Sequence, residues 1–322
     1  MERELRMETR TANKREIGAF FSKYGIYFAF VLLTSVLAIW SPAFRTRDNI
    51  VNILQQISVN GILAIGMTMV IITAGIDLSV GSVLALSGVV ATSFAKGNHP
   101  LIVPIAMGVL TGFACGTVSG VLIAKRRLAP FIVTLGMMTV ARGLALVYTG
   151  GRPEIGLSDA YDEIGSGSIG NIPFPAIIFF AMVLLGIFIL HYTRFGRYIY
   201  AVGGNELAAK VSGVNTDRVL IGVYAFAGAL AGAAGIVLSS RIMSGPPAGG
   251  QGYELDAIAA VVIGGTSLSG GIGSIAGTIV GVLIIGVMNN GLDLLNVSSY
   301  WQQVVKGLII VCAVLLDKKS KN

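Results

Sequence analysis

Asn52, Gln56 and Asn60 recur every fourth residue in a stretch without formal charge, so a helix through them carries three amides along one face, with Gln55 beside them. A second set, Asn289, Asn290 and Asp293, closes another apolar stretch, and the next opens with Tyr300, Trp301, Gln302 and Gln303. An amide offers both a donor and an acceptor, and an aromatic face covers C–H surface. These groups suit an uncharged, hydroxyl-rich solute, whereas an ion pathway would want more charge inside the apolar stretches. Asp77 and Asp256 each stand at the start of an apolar stretch, where a carboxylate caps a helix N-terminus or takes part in gating.

No other constellation points to catalysis. His99 and His191 lie at the ends of different stretches, and neither an HExxH nor a GxSxG pattern occurs. The run GGTSLSGGIGS at 264–274 lacks the lysine and the preceding strand of a phosphate-binding loop, so the chain is not expected to bind a nucleotide or its metal. Cys115 and Cys312 sit singly in apolar segments, which supports neither a disulfide framework nor a metal site. A net charge of +7 raises nucleic acid as a partner, but the basic residues fall at segment ends instead of forming a patch with interleaved aromatics.

The elements that must position the amides are membrane helices. Of 322 residues, 54% are hydrophobic and 12% charged, against about 25% charged in an ordinary soluble domain. Apolar stretches at 24–40, 50–73, 75–95, 101–124, 129–149, 173–192, 218–240, 254–270, 273–295 and 299–316 have the length that crosses about 30 Å of hydrocarbon as a helix. The third and eighth open on acids and are candidates for broken or re-entrant segments. With residues 1–23 as an inner leader and 317–322 as an inner tail, 16 Lys and Arg lie inside and five outside, so the positive-inside rule places both termini in the cytosol.

Among the 43 glycines, Gly108, Gly112, Gly116 and Gly120 form a ladder in the fourth stretch, and Gly273, Gly277 and Gly281 form another in the ninth. Each makes a smooth face for close helix contact. The ladders lie five stretches apart, and each follows a stretch opened by an acid. The expected fold is an all-α polytopic membrane protein of about ten transmembrane helices, spanning residues 24–316, with an inverted internal repeat.

The longest inward connection is 193–217. Gly203, Gly204 and Asn205 are expected to form a turn and N-cap for a helix that starts at Glu206, ends near Gly213, and carries Leu207, Ala208 and Val211 on one face. So short a helix is marginal alone in water and wants a groove on a partner, with Arg194 and Arg197 at the rim.

At GIDLSVGS (75–82), GRYIYAVGGNELAAKVSGVN (196–215), GYELDAIAAVVIGGTSLSGG (252–271) and NNGLDLLNVSSYWQQVVKG (289–307), the sequence resembles the permease subunits of bacterial ribose-type ABC importers. That resemblance implies a homodimeric channel in the bacterial inner membrane, two cytosolic ATP-binding subunits that hold the ATP and magnesium, and an extracytoplasmic sugar-binding protein. It further implies that ELAAKVSG (206–213) contacts the ATPase, although its spacing departs from the EAA-x3-G form of other importers. A proton- or sodium-coupled sugar transporter is the alternative. It would place a charged relay deep within its spans, where only Arg142 and Lys306 stand.

The charge asymmetry is directly testable. Reporter fusions after residues 126, 205 and 320 should report the cytosol, and fusions after 98, 160 and 247 the outside; an outside signal at 205 would overturn this topology.

Overall fold

In the computed structural model, residues 25–97 and 99–319 are described; the expected leader and the last three residues lie outside them. Away from water each backbone N–H and C=O must bond within the protein, so apolar stretches become helices. In chain order they are α1 (Gly25–Trp40), α2 (Arg47–Ile72), α3 (Val80–Ala95), α4 (Ile102–Arg126) and α5 (Pro130–Thr149). Then follow α6 (Asp159–Ser166), α7 (Phe174–Ile187, extended by a π turn to Tyr192), α8 (Arg194–Gly204), α9 (Glu206–Val211) and α10 (Thr216–Arg241). Last come α11 (Tyr253–Ile263), α12 (Ile275–Leu294) and α13 (Ser299–Lys319), which continues into the expected tail. Among the described residues, six helices are long and apolar enough to cross a membrane: α2, α4, α5, α7 with its π turn, α10 and α12.

α2 and α10 form the centre. Every α2 residue from Ile57 to Ile72 is buried, and α10 is buried along most of its length. The glycine ladder of α4 lies on α10 backbone to backbone. A Cβ at Gly112 would strike the Gly228 carbonyl, and one at Gly116 the Tyr224 carbonyl, while Gly228 and Gly232 of α10 return the same closeness. The second ladder finds a different kind of partner, since Gly277 and Gly281 of α12 abut Gly264 and Ala260 at the end of the preceding helix, α11.

α3 and α11 are shorter than their apolar stretches, with 16 and 11 residues against the roughly 20 needed to span. Residues 73–79 are not helical, because Thr73 ends α2 and Ala74 turns into the left-handed region at φ 59°. Residues 264–274 turn on Gly265, Gly270 and Gly271, all at positive φ, which only glycine adopts cheaply. α3 therefore begins partway up the bundle, because Gly81 at its start faces Gly250 and Glu254, while Gly235 of α10 faces Leu84 and Gly88. The non-helical run 242–252 descends from the end of α10 to that same level. The N-termini of two short helices thus meet inside the protein.

The connection between α5 and α7 is more ordered than its polar sequence suggests. Between α5 and α7 lie α6 and a two-residue antiparallel hairpin, β1 (Ser168–Ile169) and β2 (Ile172–Pro173), in the register Ser168↔Pro173 and Ile169↔Ile172. Tyr161 of α6 is fully buried with its hydroxyl 2.7 Å from Ser239 Oγ, and Ser240 Oγ accepts the Gly165 N–H at 2.6 Å.

Gly116→Leu should force α4 off α10 and cost about 2 kcal/mol or more in stability. Its thermal unfolding midpoint in detergent should fall, whereas Gly136→Ala, whose Cβ meets open space, should keep the wild-type value.

Candidate functional site

Asp256, 3% exposed, is the centre of a buried polar node. It sits four residues past Gly252, the N-cap of α11, so it does not cap that helix. Lys306 of α13 brings Nζ to 2.9 Å from Oδ1 and 3.0 Å from Oδ2. Two amides close round the same carboxylate: Asn60 Nδ2 from α2 at 3.5 Å and Asn289 Nδ2 from α12 at 3.3 Å. Their own oxygens, Asn60 Oδ1 and Asn289 Oδ1, are buried with no hydrogen-bond partner. A buried acceptor without a donor is costly, so these two oxygens call for a hydroxyl or water.

The remaining members of the two amide sets go elsewhere. Eight helical residues carry a side chain about 80° round the axis, so Asn52, Gln56 and Asn60 drift off a single line. Asn52 is exposed and lines a surface cavity of about 470 Å³ with Arg47, Gln55 and Asn171; Gln56 is half-buried between it and the node. Asn290 makes a reciprocal amide pair with Asn49, at 2.8 and 3.0 Å, tying the end of α12 to the start of α2. Asp293 accepts from Gln302 at 2.7 Å, and Gln302 also donates to the Val297 carbonyl at 3.0 Å, which closes the α12–α13 turn.

Asp77, 2% exposed, lies in the non-helical run before α3. It stands outside the cap position, held by Ser79, and accepts that residue's N–H at 2.8 Å and its hydroxyl at 2.6 Å. Arg142 of α5 donates from Nη1 to the carbonyls of Pro247 at 2.7 Å and Gly249 at 2.9 Å, which pins the descending run 242–252. Its role was announced by a charge inside an apolar stretch. Asn49 and Glu254, by contrast, stand at stretch ends where polar residues are ordinary.

The 193–217 connection holds two helices. α8 runs through Gly203 and Gly204, so the expected glycine turn is absent and Asn205 alone separates α8 from α9. Asn205 Oδ1 accepts the Ala208 N–H at 2.9 Å, and at the other end Gly213, φ 85°, closes a Schellman motif with Gly213 N–H on Lys210 O and Val214 N–H on Ala209 O, both 3.0 Å. Leu207 and Val211 are 73% and 83% exposed, and Ala208, Arg194 and Arg197 are exposed beside them. Glu206 is held by Arg127 at 2.5 Å, which also reaches Asp217 at 3.0 Å. Inward of this, Gly203 lies against the Ile72 carbonyl and Gly271, whose N–H donates to Ile72 O at 2.9 Å; Tyr200 donates its hydroxyl to Gly273 O at 2.8 Å.

A bundle of buried apolar helices with interrupted segments, a polar node and an exposed short helix at one end defines a membrane-embedded permease component. The profile of the family described as the permease component of branched-chain amino acid transport systems matches residues 49–314, and the chain belongs to that family. It is 50% identical to the ribose import permease protein RbsC of Escherichia coli (strain K12) over 297 residues, covering 91% of this chain and 92% of the relative. It is 49% identical to RbsC of Bacillus subtilis (strain 168), covering 97% and 98%. The L-arabinose ABC transporter permease protein AraH of Azospirillum brasilense is 40% identical, covering 94% and 89%. No solved structure matches the chain.

Lys306→Met would leave Asp256 buried and unpaired, a loss of about 3–5 kcal/mol. Adding Asp256→Asn should restore most of it. Thermal unfolding of the two variants in detergent checks this, and a single variant as stable as the wild type would show the pair contributes nothing.

Proposed function

We propose that this chain is the membrane-spanning permease subunit of an ATP-driven importer for a monosaccharide, ribose, in the bacterial inner membrane. The observation that carries this reading is near-full-length identity, at about half of all positions, to ribose import permeases of three bacteria. The relative named as an ABC transporter permease supports ATP as the energy source over a proton or sodium gradient. In this reading two copies form the channel. A cytosolic ATP-binding subunit hydrolyses ATP, a sugar-binding protein delivers solute outside, and lipid surrounds the rest.

The chain makes ten crossings with both termini in the cytosol. The loops at 72–79, 126–130, 193–217 and 264–274 gather at one end of the bundle, which supports that path: Gly203 meets Ile72 and Gly271, and Thr134 Oγ1 donates to Ile76 O at 3.2 Å. An inverted repeat is supported by corresponding contacts, in which α3 packs on α4 and α5 as α11 packs on α12 and α13, and α4 packs on α10 as α12 packs on α2. Asn60 and Asn289, with their unpartnered oxygens, are the members of the amide sets best placed to meet sugar hydroxyls. Asn52 and Gln56 lead toward them from the outer surface, while Asn290, Asp293 and Gln302 brace the helices there.

Energy enters through α9. Its apolar face of Leu207, Ala208 and Val211 docks in a groove of the ATPase, with Arg194 and Arg197 at the rim. Motion passes through α8 to the ends of α2 and the α11–α12 turn, because Gly203 and Tyr200 hold those segments directly. In the assembled transporter, Leu207→Asp with Val211→Asp should abolish co-purification of the ATPase and sugar-stimulated ATP hydrolysis while membrane insertion persists. Retained coupling in that variant would remove α9 from the energy path.

A further inference from the structure

The meeting of the two short helices leaves a cavity of about 500 Å³ between α3, α5 and α11, within the usual range for small-molecule sites. Ser82, Thr139, Arg142, Gln251, Glu254 and Leu146 line it. Arg142 lies past the midpoint of its 20-residue helix, so the cavity stands partway along the span, and it opens sideways past the exposed Thr139, Leu146 and Gln251. The two charges do not neutralise each other by contact: Arg142 and Glu254 border the same space, yet no ion pair joins them among the described residues. Both bonds of Arg142 to the descending run leave from Nη1, which keeps Nη2 and Nε for another acceptor. Glu254 Oε1 accepts the Gly252 N–H at 3.2 Å.

Unpaired charges at this depth are expensive against lipid and are retained where they face water or a solute. The chemistry they offer is that of a polyol site. A guanidinium edge donates two hydrogen bonds, a carboxylate accepts from neighbouring hydroxyls, and Gln251 with Ser82 does either, while Leu146 gives an apolar wall for C–H surface. The N-termini of α3 and α11 add donors around the same space.

We propose that this cavity is a sugar-contact site on the translocation path, in which Arg142 and Glu254 hold the hydroxyls of a single monosaccharide between the two short helices. The proposal rests on the importer reading above and locates in this chain a site distinct from the Asp256 node. In the importer reading two copies form the channel, and the second copy, set on the outward face of α5 with Val140, Leu144 and Val147, closes the cavity against lipid.

The test uses the complete transporter, with its ATPase and sugar-binding protein, in proteoliposomes. Glu254→Gln and Gln251→Ala should each lower the maximal rate of ribose uptake about tenfold, the effect of one hydrogen bond to a charged or buried partner. At saturating sugar, the loss should shrink to less than twofold for 2-deoxyribose or 3-deoxyribose, whichever lacks the hydroxyl that the altered side chain holds. Wild-type uptake by both variants, or an equal loss with every sugar, would overturn the site. A second measurement does not depend on the deoxy sugars being carried. With Cys115 and Cys312 replaced by serine, Thr139→Cys should react with a water-soluble methanethiosulfonate and the adduct should stop uptake, whereas Gly307→Cys should tolerate it; an unreactive Thr139→Cys would overturn the proposal. If the unaltered complex hydrolyses ATP but carries no ribose, the importer reading itself fails, an outcome distinct from either of these.

Discussion

Backbone that leaves the helix inside an apolar bundle must find hydrogen bonds without water. The runs 73–79 and 242–252 do so where the two short helices begin, and the organisation around them follows from how they are satisfied. In the first, the Gly75 N–H returns to Val70 O at 3.1 Å, Thr134 donates to Ile76 O, and Asp77 takes the N–H and hydroxyl of Ser79. In the second, Arg142 answers two successive turns of carbonyl oxygen at Pro247 and Gly249. With those groups supplied, α3 and α11 can stop short, their N-termini can face each other, and a cavity bordered by Arg142 and Glu254 can persist where an unbroken pair of helices would have filled it.

The rest of the packing divides into fixed and responsive parts. α4 on α10 is backbone against backbone through Gly112, Gly116, Gly228 and Gly232, a contact with no side chain to rearrange, and α2 is buried beside it. Such an interface has few alternative packings. α8 also meets the 264–274 turn backbone to backbone, Gly203 and Gly204 against Gly270 and Gly271, with Tyr200 bonded to Gly273 O. What differs is the backbone of the turn itself, which is built from glycines at positive φ that can change conformation with little steric penalty.

Features of short range were legible in the sequence. The four-residue glycine period marked the contact faces of α4 and α12, and Asn205 with Gly213 marked both ends of α9, because ladders and caps are made within one helix or one turn. Partners were not legible: nothing local says that α4 should lie on α10 while α12 lies on α11. The end of α11 was blurred, since no charge interrupts the stretch through Gly264, Gly265, Gly270 and Gly271 although the backbone turns there. The amide sets looked like single faces, but Asn290 is consumed by Asn49 some 240 residues away, and Asp256, which looked like a cap, is bound to a lysine 50 residues downstream. Pairings at that separation leave no periodic trace.

Lys306 also bears on how the chain enters the bilayer. A lysine well inside a helix opposes insertion by up to about 3 kcal/mol, and Lys306 stands within α13. The residue that neutralises it, Asp256, is synthesised earlier, on a helix too short to span by itself. The carboxylate that offsets the cost of burying Lys306 is thus already made when the lysine leaves the ribosome, and the placing of α13 and of the interrupted α11 depend on one another.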